Sequence, residues 1–134
     1  MKLILIYILI AVSSCKAQTS LIKKVQIKNV DYDLETLYAV HSADFENQFG
    51  KSIRTRLLTN SSFINRFAVL MKTLKPNNRN YHPDVRAKII IFKTDNSKDT
   101  LCLDGGNNAE LNGKPMFINN EFVNFIKKQD RVSK

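Results

Sequence analysis

Apolar positions alternate with polar ones in several short runs, and recur at helical spacing in two longer ones. Between residues 21 and 30, Ile22, Val25, Ile27 and Val30 are interspersed with Lys23, Lys24, Gln26, Lys28 and Asn29. That pattern predicts a strand. Asp31-Tyr32-Asp33 predicts a turn, and residues 36–40 a second strand. Ser42 is placed to cap a short helix carrying Phe45 and Phe49, which Gly50 ends. Residues 51–59 alternate again, with Ile53, Thr55 and Leu57 on one side and Arg54, Arg56 and Leu58 on the other. The expectation is a strand with a basic outer face.

The clearest helix covers residues 61–74. Phe63, Ile64, Phe67, Leu70, Met71 and Leu74 form one apolar stripe, Asn60 or Ser61 caps it, and Pro76 follows its end. Residues 75–84 read as a polar loop. Ile89-Ile90-Ile91-Phe92 predicts a strand buried on both faces and central in its sheet. Residues 99–104 return as a strand with Leu101 and Leu103 on one side. Asn112-Gly113 then marks a hairpin between residues 109–111 and 114–118. Asn119 or Asn120 opens a last helix with Phe122, Val123, Phe125 and Ile126 inward. The fold class expected is α+β, an antiparallel sheet of about five to six strands with two to three helices packed on it.

The first fifteen residues report location. Lys2 precedes an apolar run from Leu3 to Val12, followed by Ser13, Ser14 and Cys15. A charged start, a short apolar core and small residues at the exit describe a secretory signal peptide. The run is ten residues, where a membrane span needs roughly 20. Val12-Ser13-Ser14-Cys15 resembles the lipobox of bacterial lipoproteins. The resemblance covers residues 1–15 only. It implies a diacylglycerol on Cys15, a new N-terminus there, and a cell-envelope protein facing the periplasm or exterior. A second reading stays open, an ordinary cut after Ala17 that releases a soluble secreted chain. The expected organisation is a signal peptide at 1–14, a lipidated Cys15 and tether at 15–20, and one domain at 21–134. Either cut leaves Cys102 as the sole thiol, so no internal disulfide can form.

Charge is lopsided. Residues 51–93 hold ten basic side chains and one acidic, Asp84, which accounts for the net charge of +9. One reading is ordinary solvated surface. The functional reading is a patch of Arg54, Arg56, Arg66 and Lys72 for an anionic partner: lipid headgroups, an acidic glycan or an acidic protein. An exported chain whose middle-third phenylalanines belong to a helix core is a poor nucleic-acid binder.

Catalytic motifs are missing from the sequence. Cys102 sits mid-strand, where no helix N-terminus lowers its pKa, and its only imidazole candidates are His41 and His82. The oxygen-rich run from Asp95 begins like a calcium loop but has Thr100 where glycine is needed and Gly106 where glutamate is needed. No His/Cys/carboxylate cluster has zinc spacing, and no cofactor is expected. The reading is a small envelope lipoprotein acting as a non-catalytic binding or interaction module. Its rivals are a secreted small enzyme with an unrecognised pocket, an inhibitor or immunity-type protein neutralising a protein partner, and a structural accessory of an envelope complex.

Overall fold

Residues 21–131 are described by the structure, a computed structural model. Residues 1–20, over which a signal peptide, a lipidated Cys15 and a tether are expected, lie outside the described residues. In chain order the elements are β1 (Ile22–Asn29), α1 (Phe45–Phe49), β2 (Arg54–Leu58), α2 (Ser61–Met71), β3 (Lys75–Pro76), β4 (Ala87–Lys93), β5 (Lys98–Leu103), β6 (Asn108–Leu111), β7 (Lys114–Phe117) and α3 (Asn120–Arg131). The strands form one seven-stranded sheet in the order β2-β1-β4-β5-β6-β7-β3, and every pairing is antiparallel. The α+β expectation holds, with seven strands where five to six were expected.

Two local expectations change. β3 falls inside the segment read as a polar loop; its two residues pair with β7 at the sheet edge. Two residues are too few for any hydrophobic period to register. Residues 36–40 form no strand. Side chains occupy backbone groups there that a ladder would need: Asp84 accepts the Val40 N–H at 2.8 Å, and Arg86 takes the Leu34 carbonyl just upstream.

Helices α2 and α3 pack on one face of the sheet. Phe63, Phe67 and Leu70 of α2 and Phe122, Val123 and Ile126 of α3 meet Val25, Ile27, Ile89, Ile91, Leu101 and Leu103. Phe67 is fully buried, with the Phe122 ring edge-on at 5.5 Å. Such aromatic burial contributes roughly 1.5–3 kcal/mol per side chain. Both helix starts follow the sequence. Asn60 Oδ1 accepts the Phe63 N–H and Asn119 Oδ1 the Phe122 N–H, each at 2.8 Å. The Asn112-Gly113 hairpin is also as expected, both residues having positive φ (50° and 81°) as a type I′ turn requires.

The opposite face is only partly covered. Phe45 and Phe49 of α1, with Val30, Val40, Val85 and Cys102, make a second small core under one end of the sheet. Beyond it Ile90 and Phe92 are half-exposed. β4 is therefore buried on one face along its length and on the other only where α1 reaches, not on both faces throughout.

The facing of β2 is reversed from expectation. Arg56 pairs with Ile27, and Leu58 with Val25, in the β1–β2 register. Residues directly opposite share a face, so Arg54, Arg56 and Leu58 lie on the helix side and Leu57 on the open side. Strand alternation has a period but no sign. Tertiary packing chose Leu58 for the core, and the arginines followed it.

Candidate interaction site

The segment between β1 and α1 contains no regular structure up to Val40, yet it is tied down at both ends. Arg86 is 5% exposed. Its guanidinium holds both Asp84 carboxylate oxygens at 2.7 and 2.8 Å, the Leu34 carbonyl at 2.9 Å, the Val85 carbonyl at 3.1 Å and Thr36 Oγ1 at 3.2 Å. The Phe49 ring lies 5.7 Å from its Cζ. Arginine suits this position because its planar fork can serve several acceptors at once. Thr36 Oγ1 in turn donates to the Tyr38 carbonyl at 2.8 Å, and the Val85 N–H to the Val40 carbonyl at 2.9 Å.

The other root is at α3. Arg54 donates to both oxygens of Asp130, at 2.6 and 2.9 Å, and to Asp31 at 3.0 Å. Those bonds from Arg54, opposed by partial burial and aided by Asn29, hold the Asp130 carboxyl below its ordinary range. Burial, reinforced by Asp130, pushes the Tyr32 hydroxyl well above its usual value. The Tyr32 ring rests on Gly105, where an added Cβ would come within 2.7 Å of Cδ1. Lys127 covers the ring at 4.8 Å and donates to the Gly105 carbonyl at 2.8 Å.

Between these roots the loop presents apolar side chains to solvent. Leu37 is 95% exposed and Tyr38 84%. Beside them is a cleft of about 520 Å³, lined by Glu35, Leu37, Tyr38, Asp44, Asn47 and Gln48 among others. It carries two carboxylates and no basic residue.

A second cluster lies across β5 and β6 on the open face. His82 Nδ1 and Glu110 Oε2 are 2.7 Å apart, and the His41 ring stands edge-on to His82 at 6.3 Å. Cys102 neighbours Glu110 in the register, but its thiol is buried and donates to Ser42 Oγ at 3.1 Å. Burial raises that thiol's pKa against the help of Ser42. Among the described residues neither histidine bonds to Cys102, and no group of three His, Cys, Asp or Glu is placed to hold a metal. In the oxygen-rich run from Asp95, the Asp95 carboxylate accepts from Ser97 and that of Asp104 from Gly106, as turn residues do.

The residues of the basic patch do not converge on one surface property. Arg54 is engaged by Asp130 and Asp31, and Arg66 pairs with Glu121 of α3. Arg56 is half-buried, its Nη1 without a hydrogen-bond partner among the described residues. Lys72 follows α2 and is exposed. The loop tip was missed in the sequence because Leu37 and Tyr38 look like strand residues there. Their flanking carboxylates, from Asp31 to Glu46 without a lysine or arginine, were the available signal.

Among the described residues no helix is long and apolar enough to cross a membrane. Compared with known proteins, the chain matches no family model, no curated protein and no solved structure.

Proposed function

We propose that this chain is a lipid-anchored cell-envelope protein whose domain is a non-catalytic interaction module, engaging a protein partner through the Leu34–Tyr38 loop. The anchor rests on the lipobox-like Val12–Cys15 segment. The observation that carries the interaction reading is the exposure of Leu37 and Tyr38 on a loop rooted by buried Arg86. Leaving a large apolar side chain in water forgoes roughly 1.5–3 kcal/mol of burial. A loop ordered before binding spares its partner most of the ordering cost. The acidic cleft beside it favours a partner with basic groups.

Two experiments test this. Intact mass spectrometry of protein taken from its native membrane should show a diacylated Cys15 at the N-terminus. A chain starting at Gln18 without acyl mass overturns the anchor. A photo-crosslinking residue at Tyr38 in cells should give a discrete adduct that Leu37→Asp abolishes, while the same residue at Lys51 gives none. Leu37→Asp should shift stability by no more than about 0.5 kcal/mol, so loss of the adduct reports contact rather than unfolding. No adduct at Tyr38 would remove this surface from consideration.

A further inference from the structure

The described chain begins at an end of the sheet with its own chemistry. Leu21 is 69% exposed and is joined to the β4–β5 turn: the Thr94 N–H donates to its carbonyl at 2.8 Å, and its own N–H to Thr94 Oγ1 at 3.1 Å. The Leu34–Tyr38 loop follows the other end of β1, about 25 Å away at a rise of about 3.3 Å per residue. Where Leu21 enters, the open face carries one row of three residues. Lys24 pairs with Phe92 and Phe92 with Lys98 in the register, and the two ammonium groups lie 4.7 and 5.1 Å from the ring centroid. Lys23, next to Lys24 in β1, is exposed.

We infer that Lys24, Phe92 and Lys98, with the exposed Leu21 and Lys23 at the same end of β1, form a surface that seats on the anionic headgroups of the bilayer holding the Cys15 lipid. This rests on the anchor reading above. Residues 16–20 span about 20 Å at most from Cys15 to Leu21, so the tether delivers this end to the membrane before any other. Two ammonium groups held over one part-exposed aromatic ring put cationic and apolar surface side by side, which suits an interface of phosphate and acyl chain. Seated this way, the domain points its interaction loop away from the bilayer.

The test uses the lipidated protein purified from its membrane and reconstituted on phosphatidylcholine vesicles with or without phosphatidylglycerol. Acylation rates of single lysines are read by mass spectrometry. Lys24 and Lys98 should react about fivefold more slowly on the anionic vesicles, from the attraction of about 1 kcal/mol that each lysine feels at such a surface. High salt should restore the rate. Lys51, at the far end of β1 beside Arg54, should not change. Lys24→Glu with Lys98→Glu should abolish the slowing at Lys23. Equal rates on both vesicles, with the protein still anchored, overturn the headgroup face and leave the anchor standing. Protein that leaves neutral vesicles altogether overturns the anchor, and this inference with it.

Discussion

The Nε of Arg86 donates to the carbonyl of Leu34 at 2.9 Å, across 52 residues of chain. This bond joins the start of β4 to the middle of the irregular segment after β1. A stretch with no ladder of its own thereby inherits the order of the sheet. Arg86→Met should lower stability by about 3 kcal/mol, the lower end of the range for breaking a buried pair, because Asp84 keeps some exposure to water. Arg86→Lys should recover little, since one ammonium cannot serve five contacts. Urea unfolding at neutral pH measures both. A loss below about 0.5 kcal/mol, the range of ordinary surface changes, would mean that Arg86 does not brace the loop.

Phe67 stacks on Phe63 at 5.7 Å and meets the edge of Phe122, linking the two helices over the sheet. Phe67→Ala should cost about 3–5 kcal/mol. Against a typical total of about 5–15 kcal/mol, the thermal midpoint should fall steeply. An unshifted midpoint would contradict the packing of α2 on α3.

Gly105 combines a positive φ of 85° with the close approach of Tyr32. An alanine there meets both a backbone penalty of about 1–2 kcal/mol and a ring that cannot swing aside under Lys127. Gly105→Ala should destabilise by about 2–3 kcal/mol. Gly113→Ala meets nothing within 4 Å and should lose only the backbone part. Equal losses in the two variants would show that the Tyr32 contact is soft.

Asp130 sets part of the acid limb. Its carboxyl binds a proton less readily folded, with Arg54 beside it, than unfolded. Its contribution is therefore complete above the ordinary value of 3.8 and is lost as pH falls through the lower folded value. The stability gap between wild type and Asp130→Asn should stay constant from about pH 7 to 5 and narrow below about pH 4. Urea midpoints across that range decide it. A gap that does not narrow on acidification would contradict the Arg54–Asp130 linkage.

Much of the fold was legible because local rules and packing agree. The stripe from Phe63 to Leu70 has one apolar side, so α2 could pack only one way, and Asn60 and Asn119 cap for reasons internal to each helix. Legibility failed where a residue's local look and its long-range partner disagree. Leu37 and Tyr38 are good strand residues, yet the upstream carbonyl of Leu34 is taken by a side chain half the protein away. The arginines of β2 have the right period and the opposite facing.

What the sequence determined by itself is the α+β class, the two long helices with their asparagine caps, and the periods of the longer strands. These depend on neighbours a few residues apart, and the chain encodes such neighbours directly. Only the tertiary structure decided which side of β2 is inward, that Arg54 and Arg66 face carboxylates of α3, and that Leu37 and Tyr38 stand in solvent. Each of those outcomes depends on groups brought together from distant parts of the chain, and pairing at that range leaves no period for a linear reading to detect.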